Sequence, residues 1–172
     1  MWEKIKKDLS KYTNKTGVLN VFKVMLLNSG FRAVFIYRIS HELRLKNYVL
    51  ISSFLDRVNH HVSHCWISST ARIGAGFCIR HVCGIVIGGK VEVGENFEIR
   101  QNTTLGGNNG KTRDCKTQPV IGDNVTLGCN TSVLGPVIVG NNVFVGAHSL
   151  VLSDCDSNAI YAGVPVKKIR EL

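Results

Sequence analysis

No stretch of the 172-residue sequence reaches the roughly 18 consecutive apolar residues of a membrane-crossing helix. Lys23, Asn28, Arg32 and Arg38 interrupt the best candidate, so no transmembrane span is expected. The six cysteines, Cys65, Cys78, Cys83, Cys115, Cys129 and Cys155, include no CxxC pair, and the opening MWEKIKKDLSKY has no signal-peptide pattern. Reduced thiols in a cytoplasmic protein are the expectation, several of them filling small interior sites. No nucleic-acid recognition module accompanies the positive charge, so no nucleic-acid partner is expected.

Acidic residues are few and unevenly placed. The formal charge is +9; residues 1–60 hold 11 Lys/Arg against 4 Asp/Glu, and residues 61–172 hold 10 against 8. A basic N-terminal region suits an anionic surface, such as peripheral contact with the inner face of a membrane, or serves solubility alone. Residues 1–62 read as a small helical region. Trp2, Ile5, Leu9 and Tyr12 step by three and four, which predicts an amphipathic helix over residues 2–13 and a turn up to Gly17. Val18–Leu27 is apolar with one lysine. Asn28-Ser29-Gly30 breaks the pattern and can cap a new helix. In that helix Phe31, Val34, Phe35, Ile39 and Leu43 share a stripe, while Arg32, Arg38, His41 and Glu42 fall largely elsewhere. A further helix is expected over about residues 48–60.

Residues 63–172 carry a period of six. Ile67, Ile73, Ile79 and Ile85 are in step; Val93, Ile99 and Leu105 resume after two extra residues; Ile121, Leu127, Val133, Val139, Val145 and Val151 resume after ten more. Six is neither the helical 3.6 nor the strand period of 2. It is the signature of a parallel β-helix, in which each hexapeptide forms one side of a coil and the repeated residue points inward. Gly74, Gly106, Gly122, Gly128, Gly140 and Gly146 follow the apolar position. Asn96, Asn102, Asn124, Asn130 and Asn142 recur at the corners, where positive φ is tolerated. The spacing places a first, tight excursion at Gly88-Gly89-Lys90. A second, polar and basic, runs over residues 107–119 as a projecting loop. After Val151 the pattern fades into a C-terminal tail.

Ile79-Arg80-His81-Val82-Cys83-Gly84-Ile85-Val86-Ile87, then Thr104-Leu105-Gly106-Gly107 with its loop, then Ala162-Gly163-Val164-Pro165, occur in that order. Through them, residues 67–169 resemble the serine acetyltransferase type of hexapeptide acyltransferase, and residues 31–43 resemble the helix before that family's coil. The resemblance implies a mostly β, left-handed parallel β-helix with a small N-terminal helical region, a homotrimer, acetyl-CoA as donor, and a catalytic histidine at His81. It maps coenzyme A contacts onto Gly107, Cys129, Ala147 and the tail with Val164, Pro165 and Lys168. Small residues at Gly128, Gly146 and Ala147 would admit the pantetheine arm; Lys111, Arg113, Lys116, Lys167 and Lys168 are candidates for its phosphates.

His81 also fits the chemistry by itself. A neutral hydroxyl attacks a thioester slowly, and a histidine can take its proton and pass it to the leaving thiolate. Zinc chemistry is not expected, because only His81 and His148 lie within the repeats, about four coils apart, and zinc needs at least three protein ligands. The chain departs from the family where the acceptor should sit. Trp66 replaces the aspartate that orients the histidine, Arg80 replaces the aspartate before it, and Thr117-Gln118 replaces an Arg-His pair. These departures favour the short bacterial polysaccharide-biosynthesis O-acetyltransferases. The expectation is a sugar or polysaccharide hydroxyl as acceptor, contacted by Trp66, Arg80, Asn102, Thr117 and Gln118, with serine as the alternative.

Overall fold

A computed structural model of the chain describes residues 1–15 and 17–172. It is a three-sided parallel β-helix with four helices closing its first end. Face A stacks Cys65–Ile67, Ile85–Ile87, Thr104–Gly106, Ser132–Leu134 and Leu150–Val151. Face B stacks Arg72–Ile73, Glu92–Val93, Val120–Ile121 and Ile138–Val139. Face C stacks Cys78–Ile79, Glu98–Ile99, Thr126–Leu127, Val143–Val145 and Ala159–Ala162, and closes with antiparallel Lys167–Glu171. All the in-step apolar residues of the sequence are buried inside the coil. Each contributes on the order of 1.5–3 kcal/mol relative to exposure. Phe77 and Phe97 add a stacked pair in the same core, their rings 5.7 Å apart.

The first irregularity lies earlier than the spacing indicated. Arg80 N donates to Ile99 O as Gly128 N donates to Val145 O, and Asn102 N donates to Cys83 O as His148 N donates to Cys129 O. Arg80 therefore matches Gly128 and Cys83 matches Cys129, which leaves His81 and Val82 as the inserted pair. Gly88-Gly89-Lys90 is an ordinary corner. The six-step hid this because Ile85 and Ile87 both point inward, at the strand period of two. The coil also continues past Val151. Cys155 bridges to Val139 and Tyr161 pairs with Val145, so the last coil is shorter and falls out of step.

The edge where face B turns into face C carries a side-chain ladder. Asn96, Asn124, Asn142 and Asn158 all adopt positive φ. Each Nδ2 donates to the next Oδ1 at 2.8–3.0 Å. At the edge between faces C and A the equivalent residues are Gly84, Asn102, Asn130 and His148. Asn102 Nδ2 donates to Asn130 Oδ1, and Asn130 Nδ2 donates to His148 Nε2 at 3.2 Å. His148 thus serves a corner. It stands three coils from Gly84 rather than four, about 14 Å along the stack.

The helices satisfy the open edge of the first coil. Helix α1 is Trp2–Leu9, α2 Val18–Leu27, α3 Ser29–Leu45 and α4 Val49–Ser63. Helix α1 stops short of the expected residue 13, and Tyr12 reaches to the coil instead. Its hydroxyl donates to Ile79 O and accepts from Ile79 N, and burial pushes the phenol pKa up. Asn28 caps α3 as expected, its Oδ1 accepting from Phe31 N at 3.0 Å. Arg38 does not lie off the packed face as the stripe suggested. It is buried, pairs with buried Asp8 at 2.7 Å, and donates to the carbonyls of Ile73 and Gly74. Asp8 in turn accepts from the amides of Gly76 and Phe77. A buried ion pair persists when its remaining donors and acceptors are filled, and here the coil's backbone fills them. Gly30 lies so close that a Cβ would stand 2.0 Å from Ile79 O.

Candidate active site at the edge between faces C and A

The inserted pair pushes His81 out of the coil. His81 is exposed and makes no hydrogen bond to another described residue. Two residues on, Cys83 holds φ at +102°, a conformation that L residues rarely adopt and that persists only where the surroundings impose it. Gly84 completes the corner; a Cβ there would stand 2.2 Å from Asn102 Oδ1. His81 therefore sits on a local, strained departure from the repeat.

Several predicted residues share this edge. Below Cys83 come Gln101, Cys129 and Ala147 in register, one per coil, and then the turn with Gly163 and Val164. Ala147 and Val164 are exposed and Cys129 is half-buried, so His81 and this row border one continuous strip. Gly128 and Gly146 behave differently from expectation. A Cβ on Gly128 would meet Ala147 N at 2.5 Å and one on Gly146 would meet Ala162 Cβ at 3.0 Å, so close stacking of the coils already requires small residues there. Gly106 and Gly107, by contrast, are open: a Cβ on Gly106 would meet nothing within 4 Å, and one on Gly107 only Thr117 O at 3.5 Å.

The predicted residues of the projecting loop do not join them within one chain. Gly107, Lys111, Thr117 and Gln118 lie on the loop at the edge between faces A and B. From Gly84 to Gly88 the chain crosses face A, about 13 Å at 3.3 Å per residue. The loop is tied down by ion pairs of Arg113 with Asp154 and of Lys116 with Glu92. A recess of about 250 Å³ lies beneath it, lined in part by Arg72, Lys90 and Thr117. Lys168 is engaged by Glu171 at 3.0 Å, and Pro165 is exposed beside it. Gln101 was not singled out from the sequence. Its Oε1 is buried without a partner, next to the inserted pair, and a buried acceptor of this kind needs a donor from elsewhere. The only sequence signal was its place just before a corner asparagine.

Three of the side chains that suggested a sugar, Arg80, Gln118 and Asn102, are engaged by the chain itself. Arg80 binds Glu98 at 2.7 Å, and Glu98 also faces Arg100 at 3.8 Å, so the guanidinium beside His81 is paired with a carboxylate that it shares with Arg100. Gln118 Oε1 accepts from Lys90 N at 3.0 Å, and the Trp66 ring packs edge-on to His60, with centroids 5.7 Å apart.

Residues 118–153 match the model of the bacterial transferase hexapeptide family. A serine acetyltransferase of Helicobacter pylori strain J99 is 35% identical over 150 residues, covering 87% of this chain and 86% of the relative. A serine acetyltransferase of Staphylococcus xylosus is 33% identical over 164 residues, covering 95% and 75%. Among solved structures, Neisseria gonorrhoeae serine acetyltransferase superposes with a TM-score of 0.87 at 33% identity, over 99% of this chain and 66% of that one. Brucella abortus serine acetyltransferase in complex with coenzyme A gives 0.83 at 27%, over 98% and 65%. These likenesses overturn the closer kinship with polysaccharide O-acetyltransferases and the sugar acceptor drawn from it. Together with the coil, the inserted histidine and the loop, they show that the chain belongs to the serine acetyltransferase family of hexapeptide-repeat transferases.

Proposed function

We propose that the chain is an acetyl-CoA-dependent O-acetyltransferase whose acceptor is the hydroxyl of serine, with His81 as general base. The observation that carries this reading is His81 itself, an exposed histidine on a two-residue insertion, in a chain that aligns with 86% of a serine acetyltransferase. His81 takes the hydroxyl proton as the oxygen attacks the thioester carbonyl. The carbon–sulfur bond breaks, the ester forms, and the imidazolium returns its proton to the thiolate. No acyl-enzyme is needed, so no cysteine carries the acetyl group.

The working unit is a homotrimer with its sites between copies. Face A carries no charged side chain outward; Trp66 and Val86 stand 43% and 39% exposed there. Three copies with face A toward a common axis bring the C–A edge of one copy against the A–B edge of the next. That arrangement joins His81, Cys129, Ala147 and Val164 of one copy to Gly107, Lys111, Thr117 and Gln118 of its neighbour. The test is incubation with acetyl-CoA and L-serine, following thiol release and O-acetylserine together. Equal amounts of both are expected; thiol release that never yields O-acetylserine refutes serine as acceptor.

A further inference from the structure

Helix α2 turns most of its bulk away from the protein. Val21 is buried against Ile5, Leu9 and Phe31, with Val24 and Met25 packed alongside. On the other side Leu19 is 82% exposed, Leu26 70% and Phe22 52%. Contiguous exposed apolar surface of this kind marks a contact surface. Its surroundings are of one sign. From Leu9 to His41 the sequence has no aspartate or glutamate. Arg38 is neutralised by Asp8, but Lys15 and Lys23 are exposed and have no acidic partner among the described residues.

We infer that α2 seats this protein on an anionic lipid bilayer, lying in the headgroup layer with Leu19, Phe22 and Leu26 inserted and Lys15 and Lys23 on lipid phosphates. An apolar helix face flanked by lysines has the composition of an interfacial helix. Its length decides between lying on the bilayer and crossing it. Ten residues span about 15 Å, half the roughly 30 Å hydrocarbon thickness. The 119° bend between α2 and α3 prevents the two from acting as one longer rod. A second copy of the cap is the competing occupant; the run of unneutralised cations favours lipid, because two such faces would repel each other.

The test is co-sedimentation with vesicles of phosphatidylcholine containing 30 mol% phosphatidylglycerol (an arbitrary, roughly physiological anionic fraction), against pure phosphatidylcholine. Wild type should bind the anionic vesicles and come off as salt rises. The double variant Phe22→Asp/Leu26→Asp should lose at least about tenfold in binding. Lys15→Gln/Lys23→Gln should bind roughly 30-fold more weakly. Both should keep wild-type acetyl-CoA turnover in solution, which also shows that they fold. Failure of wild type to bind anionic vesicles, or equal binding by the Phe22/Leu26 variant, overturns the inference. So does vesicle-free assembly of wild type into species twice the mass of that variant in sedimentation velocity, which would assign the face to a second copy.

Discussion

The B–C and C–A edges of this coil are built from the same turn, yet they have diverged. The first is uniform: Asn96, Asn124, Asn142 and Asn158 hand one hydrogen bond down the stack, below Gly76. The second keeps that ladder only from Asn102 to His148, opens with the His81-Val82 insertion, and lines its lower coils with Cys129 and Ala147. A solenoid is stable because each coil repeats the last, so chemistry enters where the repeat is broken. One unbroken edge and a well-sealed end let the C–A edge carry a strained corner.

The largest contrast between the edges should be in turnover. His81→Ala is expected to lower kcat by about 10²–10⁴ with the fold intact, the range for a lost general base. Asn124→Ala should leave kcat within about twofold, since it touches only the structural edge. In stability the greatest loss should come from the sealed end. Arg38→Ala strands Asp8 in the interior and should cost about 3–5 kcal/mol in denaturant unfolding. Asn124→Ala should cost about 1–3 kcal/mol, combining a lost ladder bond with a non-glycine residue at φ +56°. A smaller effect concerns pH. Burial lowers the pKa of His41, whose Nδ1–H donates to Ser69 O at 2.8 Å. A depressed histidine pKa means the unfolded state binds the proton first, so this contribution is full above about pH 6.5 and fades as pH falls below it. Melting temperatures at pH 7.5 and 5.5 should differ less in His41→Gln than in wild type.

Much of this was legible in the residues. The six-step of Ile67 to Val151 marked the inward column, and the corner asparagines marked positive φ, because both are local consequences of one repeated backbone. The loop was legible as a departure from the repeat, and His81 through the family resemblance and the chemistry of its imidazole. The exact place of the first insertion was not, since Ile85 and Ile87 both face inward and either can complete a six-step. Arg38 was misplaced because helical periodicity cannot foresee a buried partner such as Asp8, thirty residues away in sequence. The acceptor was misread for a related reason. Arg80 and Gln118 looked available as letters in a sequence, while in the fold Glu98 and the Lys90 amide already hold them.

The central claim is that the site forms between the C–A edge of one copy and the A–B edge of the next. Subunit mixing tests it most directly. One inactive variant is His81→Ala; the other has residues 107–119 shortened to the length of an ordinary corner. Co-refolded mixtures should recover activity, because a heterotrimer holds an intact His81 facing an intact neighbouring loop. Heterotrimers that form, as shown by differently tagged subunits copurifying, yet remain as inactive as either parent would contradict the account.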